Sequence, residues 1–242
     1  MQRIDEVLPT VAPELPSAAP PTRRGCVLCG GRFESIYPHR RVCDGCIAAV
    51  ERRAMQEDLE RAIGTIPNRG RWARFTSPEL PGRVRPSSAI EQASEAQQRL
   101  AEGTAHIVVL IGPSGAGKTT LANCIFRRLI ETSAKPTRGA AWWAASYVGR
   151  APTESPMGSE APGVRRCREG SVIVLDDMGA EVDRTAQREA SGIVGDVLRE
   201  RVDEGRCTIV TTFLEQDRIV ARYGDGVCRR LFSGLVVRLG GA

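Results

Sequence analysis

A glycine-rich segment, GPSGAGKT at residues 112–119, has the residue types and spacing that bind phosphate. The apolar stretch HIVVLI precedes it and the amphipathic stretch KTTLANCIFRRLIE follows it, so we expect a strand, a loop and a helix. In such a loop, backbone N–H groups and the helix N-terminus surround an anion. Lys118 would reach the terminal phosphates, and Thr119 would ligate Mg²⁺. The segment predicts a nucleoside triphosphate site made of Gly112, Pro113, Ser114, Gly115, Ala116, Gly117, Lys118, Thr119 and Thr120.

Two adjacent aspartates follow another apolar stretch, in SVIVLDDMG at residues 171–179. Parallel sheets place ligands at the carboxyl ends of their strands, which is where Asp176 is expected. Asp176 would hold Mg²⁺ through water, and Asp177 would orient or deprotonate the attacking water. The alternative is that the pair caps a turn before Gly179. The glycine-rich loop upstream favours hydrolysis over this alternative.

Two further segments carry polar groups that would assist hydrolysis. CTIVTTF, residues 207–213, ends in two hydroxyls, and Thr211 or Thr212 would hydrogen-bond the terminal phosphate or the attacking water. Both are also ordinary β-branched strand residues. RYGDGVCRRLFSG contains Arg229 and Arg230, which would serve as an arginine finger for a neighbouring subunit's site or form a solvated pair.

Four of the eight cysteines form a metal-binding pattern. They make two CxxC pairs separated by thirteen residues, and two tight turns of this kind present four thiolates to tetrahedral Zn²⁺. The alternative is reduced, unliganded thiols. The predicted zinc ligands are Cys26, Cys29, Cys43 and Cys46. We expect the other four cysteines to be buried without a ligand: Cys124, Cys167, Cys207 and Cys228.

The organisation of the chain is that of one main α/β domain with a small appendage. Apolar runs alternate with helical stretches from His106 onward, which predicts a parallel sheet with helices on both faces. We expect a disordered tail at 1–22, a zinc module and helix at 23–64, a linker at 65–104 and the α/β domain at 105–242. The net charge of +5 permits a polyanionic partner without requiring one. No run suits a membrane span or a secretory signal, so a cytoplasmic protein without a membrane partner is expected.

The segments GPSGAGKTT, VIVLDDMGAE, TIVTTFL and RYGDGVCRRLFSG, in this order, resemble the AAA+ ATPases of the DnaC/DnaI helicase-loader and IstB transposition-helper group. The resemblance covers residues 106–240. It implies an AAA+ P-loop fold, ATP hydrolysis with Mg²⁺, and assembly into a homo-oligomer when ATP is bound. It also implies a replicative hexameric helicase and single-stranded DNA as partners, with the helicase bound by the N-terminal module. Arg230 would be the arginine finger.

Three features depart from the family pattern. Phe213 stands where a polar sensor residue is common, so Thr212, which we favour as the catalytic residue, or Thr211 would have to replace it. A second sensor arginine near the C-terminus is not expected. Residues 149–170, rich in Pro, Gly and Ser, predict a flexible loop in which three arginines would contact DNA phosphate or be simply solvated. These are Arg165, Arg166 and Arg168.

Other functions remain open from the sequence. An IstB-like transposition helper would bind duplex DNA and a transposase. A small-molecule P-loop kinase would need an arginine-rich lid, and the tandem aspartates and the RYGDGVCRRLF segment speak against it. A module that binds ATP as a switch without hydrolysing it is compatible with the altered sensor positions.

Overall fold

The computed structural model describes residues 20–133, 137–150, 160–180 and 187–240, with backbone alone at 149–150 and 187–190. Residues 1–19 of the expected tail lie outside the described residues. The chain divides into two compact units, one up to Arg53 and one from Ala54 onward. No helix among the described residues is long and apolar enough to cross a membrane.

The first unit contains a small antiparallel ribbon and the start of a long helix. Strands β1 (Thr22–Gly25) and β2 (Arg32–Ser35) pair antiparallel, and helix α1 covers Asp44–Thr65. Between the strands, the N–H of Cys26 donates to the carbonyl of Gly31 at 2.8 Å, and Gly30 has a φ of +72°. Glycine takes this left-handed conformation without strain, so the ribbon can close tightly around the first cysteine pair.

The second unit is built on a five-stranded sheet with the order β4-β5-β6-β3-β7. All four neighbouring pairs are parallel, as the alternation of apolar and helical stretches predicts. Alternate residues of the central strands enter separate hydrophobic clusters on the two faces, so the sheet is covered on both sides. The strands are β3 (Ile107–Ile111), β4 (Ala141–Ala144), β5 (Val172–Met178), β6 (Cys207–Thr212) and β7 (Leu235–Arg238).

Helices cover this sheet. Helix α4, which follows the glycine-rich loop, buries Leu121, Ile125 and Leu129, spaced four residues apart, against the sheet. The elements outside the sheet are a 3₁₀ turn (Asn68–Gly70) and the helices α2 (Leu80–Arg83), α3 (Ser88–Ala101), α4 (Lys118–Thr132), α5 (Ala145–Arg150), α6 (Pro162–Glu169), α7 (Gln187–Asp203), α8 (Gln216–Tyr223) and α9 (Asp225–Phe232).

Residues 65–104, expected as a linker, pack into the core of the second unit. Ile66, Ala73, Leu80 and Val84 are fully buried in the same cluster as the apolar face of α4. The boundary between the compact units therefore lies within α1, rather than at the residues 64 and 104 expected from composition.

The prediction of a flexible loop at 149–170 is wrong for the C-terminal part of this segment, which forms α6. Val164 and Cys167 bury one face of this helix. Two of its three arginines form ion pairs: Arg165 with Glu169 at 2.9 Å, and Arg168 with Glu160 at 2.7 Å and with Glu200. These pairs and the buried face stabilise a helix that composition alone does not indicate. Residues 151–159 of the predicted loop lie outside the described residues.

Three of the four remaining cysteines are buried, as expected. Burial raises the pKa of Cys124 and Cys167 to about 12, so both stay protonated thiols at neutral pH. Cys228 is also buried, whereas Cys207, at the start of β6, is partly exposed. Within the described residues, none of the four belongs to a metal-binding cluster.

Candidate nucleotide-binding site

The glycine-rich loop leaves β3 at the carboxyl edge of the sheet and is enclosed from behind by other segments. A Cβ at Gly112 would lie 2.3 Å from the carbonyl oxygen of Leu239, and one at Gly117 would lie 2.5 Å from that of Arg83. Gly117 also has a φ of +97°, in the region that favours glycine. Larger residues would clash with backbone at both positions, so the loop must be built from small residues.

Lys118 begins α4 and folds back over the loop. Its ammonium donates to the carbonyl oxygens of Gly112 and Pro113, both at 2.8 Å, and the residue is only 6% exposed. Burial lowers the pKa of Lys118, while the charges of Asp177 and Asp176 oppose this shift. Among the described residues, no carboxylate forms an ion pair with this ammonium. A buried cation held by neutral carbonyls inside a glycine loop suits the phosphates of a nucleotide.

Asp176 lies at the end of β5 and receives two hydroxyl hydrogen bonds. Thr211 donates to its Oδ1 at 2.6 Å and Thr119 donates to the same oxygen at 3.1 Å. Burial raises the pKa of Asp176, and these hydrogen bonds act in the opposite direction. A carboxylate beside a threonine hydroxyl is an oxygen donor set of the kind that Mg²⁺ prefers. Asp176 and Thr119 lie side by side, and their role as Mg²⁺ ligands stays a prediction.

Asp177 differs from its neighbour in exposure and conformation. Its side chain is exposed, and its φ of +56° places it in the left-handed region. Among residues with a side chain, Asp and Asn adopt this region more readily than most. The backbone N–H of Asp177 donates to the hydroxyl of Thr211 at 2.9 Å, which fixes this turn to β6. The carboxylate is next to Asp176 yet free to face solvent, as a base acting on water requires.

The structure separates the roles of the two threonines. The hydroxyl of Thr212, the residue we favoured as a catalytic group, donates to the carbonyl of Met178 at 2.7 Å and accepts from the N–H of Leu214 at 3.1 Å. It is fully buried and holds the strand end together. Thr211 faces Asp176 instead. Phe213, at the position where a polar sensor residue is common, is 47% exposed and follows the end of β6.

Arg230 on α9 is held within its own chain. Its Nε and Nη2 lie 2.9 Å and 3.1 Å from the two carboxylate oxygens of Asp203, at the end of α7. This contact raises the pKa of Arg230 and lowers that of Asp203. Arg229 is more exposed and pairs with Asp225 at 2.9 Å. The sequence does not indicate the contact between Arg230 and Asp203, because the two residues are 27 positions apart and no motif connects them.

The four cysteines of the first unit come together as the spacing predicts. Their sulfur atoms all lie within 4.8 Å of one another, and the sulfurs of Cys29 and Cys43 are 3.8 Å apart. Tetrahedral Zn–S bonds of about 2.3 Å place two sulfurs about 3.8 Å apart, so the geometry suits Zn²⁺. Backbone N–H groups, first that of Cys43 and then that of Cys29, lower the pKa of Cys26 to about 6, which favours the thiolate there, whereas hydrogen bonds with the thiols of Cys43 and Cys29 raise the pKa of Cys46 to about 12.

The site combines a glycine loop after β3, a buried lysine and an acidic end of β5, and β6 lies between these two strands. This arrangement is that of a P-loop NTPase fold of the AAA+ type. A four-cysteine knuckle lies near its N-terminus. Neither the protein-family models nor the curated proteins contain a match to this chain. Solved structures do show the fold.

The structure is similar to that of the DnaC helicase loader, with a TM-score of 0.51 and 16% identity, over 68% of this chain and 100% of that one. For DnaI the TM-score is 0.51 and the identity 17%, over 69% of this chain and 96% of that one. AMPPCP-bound DnaA from Aquifex aeolicus gives 0.51 and 17%, over 68% of this chain and 51% of that one. At these identities the likeness concerns the fold.

Proposed function

We propose that this protein is an AAA+ ATPase that loads a replicative DNA helicase. The observation that carries the proposal is the site itself: Lys118 is buried in the loop beside the pair formed by Thr119 and Asp176. Helicase loading is supported by the likeness to the solved structure of the DnaC helicase loader, all of whose chain is covered by the match. The N-terminal zinc knuckle then supplies a separate docking module.

The nucleotide site would act through its own side chains. The phosphates of ATP would take the place of the loop carbonyls as partners of the Lys118 ammonium. Thr119 and Asp176 would hold Mg²⁺, which when bound neutralises charge on the transferred phosphoryl group. Asp177 would accept a proton from the attacking water. Thr211 would keep the Asp176 carboxylate ionised by donating to Oδ1, since a hydrogen bond to the charged form opposes the effect of burial.

Completion of the site would depend on assembly. We expect Arg230 of one subunit to contact the terminal phosphate bound by its neighbour in an ATP-bound homo-oligomer, which requires its guanidinium to leave Asp203. Turnover by the isolated subunit is therefore expected to be weak. A DnaA structure contains AMPPCP and single-stranded DNA. We propose that single-stranded DNA is also the nucleic acid bound by this protein, in the cytoplasm.

The zinc module would dock the hexameric helicase. Several large apolar side chains of the first unit are exposed, at 66% for Val27, 59% for Leu28 and 63% for Tyr37. The backbone N–H of Val27 donates to the carbonyl of Arg41, so basic residues border this apolar group. Exposed apolar side chains beside positive charge suit a protein partner with apolar anchors and acidic residues.

Size-exclusion chromatography with the replicative helicase of the same host would test the proposal, with and without ATP and Mg²⁺. We expect the wild-type protein to co-migrate with the helicase. Cys26→Ser should abolish co-migration because the knuckle loses a zinc ligand, whereas Lys118→Ala should change only its response to nucleotide. No complex under any condition would contradict helicase loading.

An IstB-like transposition helper is the alternative that failure of this experiment would favour. Preferential binding to duplex DNA and co-migration with a transposase would identify it.

Exposed Phe213 and the bond between Arg230 and Asp203 favour a third possibility, an ATP switch without turnover. Unchanged ATP affinity with no phosphate release from the assembled helicase complex would support this switch.

A further inference from the structure

The 3₁₀ turn at Asn68–Gly70 is rigidly tied to its surroundings. Just after it, the guanidinium of Arg71 donates to the carbonyls of Ile66 at 2.9 Å and Gly64 at 2.8 Å, which closes the chain around the turn. The indole N–H of Trp72 donates to the carbonyl of Arg69 at 3.0 Å. The backbone of Arg69 is thereby fixed while its side chain stays outside these contacts.

This turn packs on helix α4 close to the phosphate-binding end. A Cβ at Gly70 would lie 3.0 Å from Nδ2 of Asn123, so the backbone of the turn rests on that side chain. Asn123 is four residues after Thr119 and therefore lies on the same face of α4, about 6 Å further along the axis. An arginine side chain reaches about that far, so Arg69 can extend to the region of Thr119 and Asp176.

The charge of Arg69 is available. Its side chain is exposed, and among the described residues it has no hydrogen-bond or ion-pair partner. Arg69 and Asp176 are close enough for their charges to attract each other, which places the charge of Arg69 on the Mg²⁺ side of the site. By contrast, the guanidinium of Arg127 is bound to Glu131 and to the carbonyl of Arg71.

The contact between the turn and α4 contains an unsatisfied polar group. Both polar atoms of the Asn123 amide are buried without a hydrogen-bond partner among the described residues. Buried amides are nearly always paired, so this contact contributes less than a fully bonded one would. The turn is therefore held by the hydrogen bonds of Arg71 and Trp72 and not by one from Asn123.

We propose that Arg69 binds the terminal phosphate of ATP within the same subunit and so makes the site distinguish ATP from ADP. The inference rests on the proposed nucleotide-binding function. It differs from the role of Arg230, which would act on a neighbouring subunit. The backbone of Arg69 is held by Trp72 and Arg71. Binding of the phosphate by its side chain would therefore affect the segment that follows α1.

Isothermal titration of the full-length protein with AMPPCP and with ADP, both with Mg²⁺, tests this role. Arg69→Ala should weaken AMPPCP binding about tenfold, the loss expected for one charge-assisted hydrogen bond, and ADP binding less than about twofold. Arg69→Lys should recover part of the AMPPCP affinity because it keeps the charge. Arg99→Ala, which removes an exposed arginine on α3, is the matched control and should leave both affinities unchanged.

The outcomes separate the inference from the proposed function. If the wild-type protein binds both nucleotides and Arg69→Ala retains the wild-type ratio of affinities, the role of Arg69 is refuted and nucleotide binding stands. Equal weakening of AMPPCP and ADP by Arg69→Ala also refutes it, because a terminal-phosphate contact affects only the triphosphate. If the wild-type protein binds neither nucleotide, both the inference and the proposed function fall. Circular dichroism melting of each variant checks that the fold is intact.

Discussion

Replacing Thr211 with valine should damage the proposed Mg²⁺ site while leaving the sheet in place. Valine has nearly the same shape as threonine and suits a strand, but it lacks the hydroxyl. The substitution removes the 2.6 Å hydrogen bond to Asp176 and the acceptor that the N–H of Asp177 uses at 2.9 Å. Asp176 is buried, so losing a donor raises the pKa of its carboxyl further and disfavours the anion that Mg²⁺ needs.

The magnitude follows from the strength of the lost bond. A hydrogen bond to a charged group contributes about 1.5–3 kcal/mol. At about 1.4 kcal/mol per factor of ten, this is roughly a 10- to 150-fold loss, close to the 10- to 100-fold that second-shell substitutions typically cost in metal affinity. We expect Thr211→Val to weaken the Mg²⁺ dependence of AMPPCP binding by about tenfold or more, measured by titrating Mg²⁺ at fixed nucleotide. Raising the pH should restore part of the loss, because it deprotonates Asp176.

Thr212→Val is the matched control. It removes an adjacent buried hydroxyl whose partners are the carbonyl of Met178 and the N–H of Leu214. It should lower the free energy of unfolding by about 2 kcal/mol, at about 1 kcal/mol for each of the two hydrogen bonds, without changing the Mg²⁺ dependence. If the two variants lose Mg²⁺ affinity equally, or if Thr211→Val binds Mg²⁺ as well as the wild type does, the assignment of Thr211 as the group that supports Asp176 is refuted.

Three further predictions concern stability and metal content. Arg201→Met should lower the free energy of unfolding by about 5 kcal/mol in urea titrations. The fully buried guanidinium makes five hydrogen bonds, and each contributes about 1 kcal/mol. Arg199→Met, on the same helix but exposed, should change the free energy of unfolding by less than about 0.5 kcal/mol. Burial raises the pKa of Asp176, so its charged form destabilises the fold at neutral pH and this penalty is relieved as the pH falls through the raised pKa. Asp176→Asn should therefore unfold at higher denaturant than the wild type at pH 7 without Mg²⁺, and the difference should shrink toward acid pH. Cys46→Ser should lose the single equivalent of zinc that elemental analysis is expected to find in the wild type.

The sheet and the glycine loop could be predicted from the sequence because local signals determine them. Each central strand is a continuous apolar run, and a strand buried on both faces needs little else. The loop is specified by glycine conformations and by the adjacent lysine and threonine. The cysteine knuckle is similar in this respect, since two CxxC turns define a tetrahedral site once a metal binds. In these cases the residues that determine the structure are close together in the chain.

Residues that face one another across the sheet could not be assigned from the sequence. Leu175 pairs with Val210 in the register of β5 and β6, and a regular continuation would put Thr212 beside Asp177. The register instead shifts between Leu175 and Met178, where Asp177 adopts its positive φ, so Thr212 pairs with Met178. No sequence pattern indicates this shift, so the sequence alone does not single out Thr211 as the threonine that faces Asp176.

The C-terminal end of α7 shows most clearly how contacts distant in sequence determine the site. Arg201 points into the core and donates to the carbonyls of Cys167, Arg168 and Gly170 at the end of α6, while Asp203, two residues on, points outward and binds Arg230. The first contact is buried, so breaking it would disturb the fold. The second lies at the surface, where both charges are partly solvated and an ion pair is weak. A phosphate carries more negative charge than a carboxylate and accepts the same paired N–H donors. In the proposed oligomer, a neighbouring subunit's nucleotide would thus displace Asp203 from Arg230 by a side-chain movement alone, and assembly would then be sufficient to release the arginine.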